Sequence, residues 1–222
     1  GKSGSTVAET LEIRNTSGTE AKTVMIRLLP LRQNSAGDWQ SLEGQEGRYT
    51  YAASSLAWTH LSETELTVPA AASLPLTVRA EIPTDAQGTY FVGVLVSEKV
   101  PEGAEGMQMV LRFLIPTTVT VTNRSVRQQI SMDDVELVLQ ENLNGAAPSP
   151  VLYVDIRNKG RTHSALQGSV NVAARLGERW HPVANIPIKR MGILPFTDLK
   201  LPLVIDKQLP AGQYQLTAAV FV

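Results

Sequence analysis

Cysteine is absent from the 222 residues, which removes disulfides, thiolate zinc sites and cysteine nucleophiles while leaving the redox compartment open. Histidine is scarce, with His60, His163 and His181 scattered along the chain, so metal ligation and general-base chemistry have little to draw on. Charge is thin as well. Charged residues make up 18%, against roughly a quarter of a typical globular domain. Lys plus Arg number 20 and Asp plus Glu 21, a net charge of −1 with no dense run of either sign. No electrostatic footprint for nucleic acid or an anionic membrane results, and a polyanionic partner is not expected. Apolar runs stop well short of the roughly 18 to 20 residues of a membrane helix, so no span is expected in this chain. The first residues, Gly1 to Ser5, carry no apolar signal-peptide core. With Gly1 in place of Met, we expect that a segment was removed or cut away ahead of it. Hydrophobic residues, at 43%, are plentiful enough for proper cores.

Those apolar residues recur with period two. Leu74, Leu76, Val78, Ala80 and Ile82 alternate with Ser73, Pro75, Thr77, Arg79 and Glu81, the pattern of a strand with one face in a core and one in water. The same alternation runs through Leu11 and Ile13, through Leu152, Val154 and Ile156, through Leu199, Leu201, Leu203 and Ile205, and through Tyr214, Leu216, Ala218 and Val220. Turn formers separate these runs at 15–18, 34–37, 101–106, 142–150, 158–160 and 210–212. Val126 to Leu143 comes nearest to a helical stripe, yet Val135, Leu137 and Leu139 favour a strand there too. Many short strands with turns between them predict an all-β sandwich architecture.

An internal repeat divides the chain. Ile13-Arg14-Asn15 closes an early strand, and a proline-containing corner leads to Gly88-Thr89-Tyr90. Ile156-Arg157-Asn158 does the same, followed by a corner at Pro210 and Gly212-Gln213-Tyr214. Both corners look like the tyrosine corner of immunoglobulin-like sandwiches, in which the phenol bonds to backbone just upstream. The expected fold is two tandem immunoglobulin-like β-sandwich domains, residues 1–122 and 123–222, with the boundary near Thr122 to Ser125. The first domain begins with what reads as its second strand, and the second stops where a last strand would follow. Sheet edges left open in this way invite strand addition or self-association.

The segments Thr10–Thr16, Leu66–Pro69, Leu74–Arg79, Gly88–Val96 and Arg112–Pro116 together resemble the first domain of exported two-domain bacterial immunoglobulin-like proteins. Among these are the periplasmic pilus-assembly chaperones. A second resemblance is to paired immunoglobulin-like domains of bacterial cell-surface proteins. The chaperone resemblance implies that the last strand of the first domain, Met107 to Val121, presents alternating large residues to a partner that lacks a strand. Met107, Met109, Leu111, Phe113 and Ile115 share one face of that strand, and flexible Met with bulky Leu and Phe would suit a partner's pockets. The alternative reading of that face is sandwich core. The preceding 101–106 loop is loose enough to let the start of the strand extend beyond its sheet. Chaperones of this type also hold a partner's terminal carboxylate with a basic pair. Here the sequence departs, since Arg112 is the only basic residue on the strand and alternation puts it on the opposite face. A guanidinium is suited to gripping a carboxylate, whereas plain solvent exposure is the default for such a residue. Met107, Met109, Leu111, Arg112 and Phe113 are therefore the candidate partner-binding residues.

Other chemistries find little support. The histidines read as loop residues without a nucleophile beside them. Asp133 and Asp134 are adjacent and point to opposite faces of a strand, while Glu63 and Glu65 share a face as solvated charge. No dense oxygen cluster suits calcium, and no phosphate-cradling glycine loop occurs. Neither metal, cofactor nor catalytic residue is expected. Trp39, Trp58 and Trp180 lie near turns, where an exposed ring could stack on a sugar, with Trp39 in the 34–40 turn the most exposed; a Trp in a sandwich more often fills the core. The sequons at Asn15 and Asn123 arise easily by chance and mean nothing if the source is bacterial, as the resemblance implies. The expected function is non-enzymatic binding of a pilin-like or cell-envelope protein by an exported chain, periplasmic or at the cell surface, through strand addition to domain 1. A surface adhesion or structural module of a larger protein is the alternative.

Overall fold

The computed structural model describes residues 1–45, 51–100, 103, 110–140 and 148–222. Their regular structure is strand throughout, apart from one 3-10 turn at Leu56–Trp58. The chain divides into two compact units, Gly1–Arg32 with Gln40–Val126, and Gln33–Trp39 with Arg127–Val222. The architecture is all-β, two immunoglobulin-like sandwiches.

Unit 1 contains β1 (Thr6–Arg14), β2 (Lys22–Leu29), β5 (Thr59–Leu61), β6 (Glu65–Val68), β7 (Ser73–Glu81), β8 (Gly88–Glu98) and β9 (Arg112–Val121), and a ribbon of β3 (Leu31–Gln33) with β4 (Trp39–Ser41) lies between β2 and β5 in sequence. One sheet runs β1-β7-β5 and the other β6-β2-β8-β9. The period-two pattern is what packs them. Leu76, Val78 and Ala80 of β7 are buried while Arg79 and Glu81 face water; Ile26, Val94 and Val96 meet Leu76 and Val78 from the second sheet, and Val119 and Val121 meet Ala80. Each buried Leu, Ile or Val among them contributes about 1.5 to 3 kcal/mol by leaving water. β8 departs from alternation because it is covered on both faces. Gly93 explains how its outer face is filled: a Cβ there would stand 2.9 Å from both Leu31 and Leu114, so its absence lets those side chains close over the strand.

Unit 2 is built from β10 (Ile130–Gln140), β11 (Ser149–Asn158), β12 (Ser164–Leu176), β13 (Arg179–Ile193), β14 (Thr197–Val204) and β15 (Tyr214–Phe221). Its sheets run β10-β11-β14 and β13-β12-β15. Leu152, Val154 and Ile156 are sealed in one core with Leu166, Val170, Val172, Leu199 and Leu201. Within the 126–143 segment Ile130–Gln140 forms β10, as the Val135, Leu137 and Leu139 spacing predicts, while 141–143 lie outside the described residues.

The repeat in sequence is a repeat in hydrogen bonding. Asn15 donates from Nδ2 to the carbonyls of Glu20, Val68 and Pro69, and its Oδ1 accepts from the Ser17 amide. Asn158 donates to the carbonyls of Thr162, Ile193 and Leu194, and its Oδ1 accepts from the Gly160 amide. Each asparagine thus ties the end of one strand to the turn before another, and at each of those turns a non-glycine residue has positive φ, Ala71 at 54° and Phe196 at 54°. The tyrosine corners also recur with opposite polarity. The Tyr90 hydroxyl accepts from the Gln87 amide at 3.0 Å, whereas the Tyr214 hydroxyl donates to the Pro210 carbonyl.

Three expectations need correction. His60 lies in β5 and His181 in β13, not in loops. His60 was misread because a strand of only Thr59–Leu61 is too short to show alternation, and His181 because β13 carries Pro182 and Pro187, which read as breakers but are tolerated on an edge strand. Glu63 lies outside β6, between bends at Ser62 and Thr64, so Glu63 and Glu65 do not share a strand face. Around Asp133 the β10–β11 register shifts by a bulge between Met132 and Asp134, which leaves Asp133 outside the ladder and free to pair with Arg157.

Candidate functional site

The second sheet of unit 1 ends at β9, whose outer edge pairs with no other strand among the described residues. Its register with β8 places Phe113 opposite Val96 and Ile115 opposite Val94. These are core-facing positions, since Val94 and Val96 are buried with Ile26 across β2. Ile115 does pack against that core. Phe113 does not, and is 61% exposed, with Leu111 at 55%. A core-facing phenylalanine is left in water here because, among the described residues, nothing bridges the two sheets between β9 and β1.

The opening is a groove of about 650 Å³, and Ile13, Val24, Val68, Val96, Leu111, Phe113 and Ile115 make its apolar floor and walls. Its rim is polar and mixed in charge, with Glu12, Arg14, Lys22 and Glu98. Lys22 and Glu98 pair at 2.8 Å, and the hydrogen bond to Glu98 raises the Lys22 ammonium above its ordinary pKa. At the far end of β9 the backbone already shows how a neighbour would run. The Gly1 amine donates to the Thr120 carbonyl and the Thr122 amide donates to the Gly1 carbonyl, the pattern of a parallel pairing on the outer edge of β9.

Arg112 points away from the groove. Its guanidinium meets Glu43, whose other carboxylate oxygen is held by Arg27. Hydrogen bonds from Arg112 and then Arg27 pull the Glu43 carboxyl below its usual pKa. Arg112 is therefore already engaged with a carboxylate from its own chain. Met107 and Met109 lie outside the described residues. The structure thus groups Leu111 and Phe113 at the groove and sets Arg112 apart from them.

The other candidates are dispersed. Trp58 packs edge-on against Tyr90 at 5.3 Å between ring centroids, inside the end of the sandwich. Trp39 opens β4 and is exposed, as is Trp180 on β13. Among the described residues no three His, Asp or Glu side chains come together as a metal site, and no helix is long and apolar enough to cross a membrane.

No family model matches the sequence, and no curated protein resembles it in sequence. Solved structures do resemble it. They are pilus chaperones. The class 5 fimbriae chaperone CfaA matches with 10% identity over 100% of this chain and 95% of that one, at a TM-score of 0.49. The CsuC–CsuE chaperone–tip adhesion subunit complex of Acinetobacter baumannii matches with 15% identity over 95% and 90% of the chains, at 0.48. The Pseudomonas aeruginosa CupB2 chaperone matches with 13% identity over 95% and 91%, at 0.43. At this distance the likeness concerns fold, and no residue role is carried over from it.

Sequence reasoning missed the opposite wall of the groove. Ile13, Val24 and Val68 have the spacing of ordinary core residues, and only the gap between β1 and β9 turns them into a lining. It also missed Glu43 and Arg27 as the partners of Arg112, because ion pairs between distant segments leave no local trace.

Proposed function

We propose that this chain is a non-enzymatic, exported binding protein of the pilus-chaperone type, working in the periplasm or at the cell surface, which takes an extended segment of another protein along β9. The observation that carries this reading is Phe113, core-facing yet 61% exposed. An added strand satisfies the free edge of β9 with main-chain hydrogen bonds, and its alternate apolar side chains fill the groove beside Phe113 and Leu111. The Gly1 pairing supports a parallel orientation for that strand. The partner class that fits is a cell-envelope protein, pilin-like in exposing an extended apolar segment.

The test uses labelled synthetic peptides of ten to twelve residues with alternating apolar and polar positions, and a control whose apolar positions are Glu. The native chain binds the alternating peptide and not the control. Phe113→Glu and Leu111→Glu each weaken binding at least tenfold while unfolding in urea near the native midpoint. Unchanged binding would sink the proposal, and so would loss of the folded state in both variants, which would make the face ordinary core.

A further inference from the structure

Trp39 is 40% exposed, yet it does not stand alone. It lines a cavity of about 410 Å³ together with Gln33, His163, Arg190 and Met191. All of the lining residues belong to unit 2. The volume falls within the range of about 300 to 1,000 Å³ in which proteins hold small molecules.

Hydrogen bonds fix the cavity in place. Gln33 donates from Nε2 to the carbonyls of Gly37 and Gly192, each at 2.7 Å, and its Oε1 accepts from the Leu194 amide at 3.0 Å. The Lys200 amide donates to the Ser35 carbonyl at 2.7 Å. The 33–39 turn is thereby fastened to β13 and β14. Two glycines then make room at the walls. Gly37, with a φ of 94°, leaves the space that the Met191 methyl occupies, and Gly192 leaves the space of the His163 imidazole.

Arg190 reaches the cavity through a bulge. Leu166 pairs with Met191 and Gly168 with Ile188, so Lys189 and Arg190 of β13 stand against Gln167 alone. Ile188 and Met191 both pack on the core of unit 2. The extra residue between them turns Lys189 and Arg190 outward together, where regular alternation would have sent Arg190 inward. Arg190 is exposed and takes part in no ion pair among the described residues. It is also the only charged residue on the cavity wall. His163 adds no second charge near neutral pH, because burial holds its imidazole below the ordinary pKa.

The chemistry of the wall selects its ligand. The negative face of an indole attracts the weakly positive C–H groups of a ring laid against it. A neutral imidazole offers hydroxyls one donor and one acceptor. A guanidinium without an acidic partner fits a carboxylate in bidentate fashion. A ring that carries both hydroxyls and a carboxylate satisfies all three. We propose that this cavity is a binding site for an acidic sugar of the uronic-acid class, with the pyranose ring on Trp39, its carboxylate on Arg190 and hydroxyls at His163. The proposal concerns unit 2 and does not depend on peptide capture at β9.

The test is titration of the native chain at neutral pH with sodium D-glucuronate, with D-glucose and sodium acetate as comparison probes, followed through the tryptophan indole N–H signals by NMR. Glucuronate is expected to shift the Trp39 signal saturably and to leave Trp58 and Trp180 in place. Its affinity exceeds that of glucose at least tenfold, because glucose has nothing for Arg190 to grip. Acetate leaves the Trp39 signal unmoved. Arg190→Gln lowers glucuronate to the affinity of glucose, and Trp39→Ala abolishes glucuronate binding, read at the His163 imidazole signals. Both side chains are exposed, so each variant keeps the native urea midpoint. A Trp39 signal that glucuronate does not move, equal affinity for glucose and glucuronate, or an Arg190→Gln variant that binds glucuronate as tightly as the native chain overturns the proposal. Acetate that shifts Trp39 as strongly as glucuronate also overturns it, since the cavity is then a bare anion site. Phe113→Glu leaves glucuronate binding unchanged whether or not it weakens peptide capture, which keeps the two readings separable.

Discussion

Asn15 and Asn158 are the side chains on which most local structure depends. Each is buried, and each satisfies several backbone groups that would otherwise sit in the sandwich without partners. A buried polar group stripped of its partners costs about 1 to 3 kcal/mol, and here several are stripped at once. Replacing either by Ala is expected to lower stability by about 2 to 4 kcal/mol, read as a shift in the urea midpoint. Ala71 is a residue of the opposite kind. Its φ of 54° is a conformation L side chains resist, at about 1 to 2 kcal/mol, so Ala71→Gly raises the melting temperature even after glycine's entropic disadvantage. His163 carries a pH dependence. Gly192, by lacking a side chain, leaves the room its imidazole occupies, and burial holds that imidazole below its ordinary pKa. The folded state therefore favours the neutral ring. Its stabilising share is complete above the unfolded value of about 6.5 and is lost as pH falls through the lower folded value. Between pH 8 and 5 the native chain should lose more stability than His163→Asn measured in parallel.

Among the elements, alternation revealed strands wherever one face met the core and the other met water. β7, β11 and β14 were legible in this way, residue by residue. Alternation says which way a side chain points and is silent on whether anything comes to cover it. Phe113 shows the limit: its face was readable, its exposure was not, because exposure depends on the gap between β1 and β9. β5 and the bends beside Glu63 were illegible because three residues are too few to establish a period. The tyrosine corners were legible from Gly-x-Tyr, though not their polarity, and polarity sets their worth. Tyr90→Phe leaves the part-buried Gln87 amide without its acceptor, whereas Tyr214→Phe frees an exposed carbonyl to water. Both variants are expected to fold, with a loss of about 1 to 2 kcal/mol for Tyr90 and well under 1 for Tyr214, measured by denaturant unfolding.

At the scale of the whole molecule, the two units keep separate cores. Leu76 belongs to one and Leu152 to the other, and both are fully buried. Leu76→Ala and Leu152→Ala should each cost about 2 to 5 kcal/mol. Amide exchange should quicken first in the unit that holds the substitution. The repeat of Asn15 in Asn158 and of Tyr90 in Tyr214 made this division visible in the sequence, since residues that knot a strand end to a turn must recur wherever that knot recurs. The candidate site was less visible, because an open seam is defined by what is missing beside it. The contact made by Gly1 has a practical corollary. Its two hydrogen bonds to the β9 edge aim any tag or linker fused ahead of it back along the same edge towards Phe113. Binding assays built on an amino-terminal fusion would then measure competition with the fusion itself, and a purification handle is better carried at the other end or removed before the groove is probed.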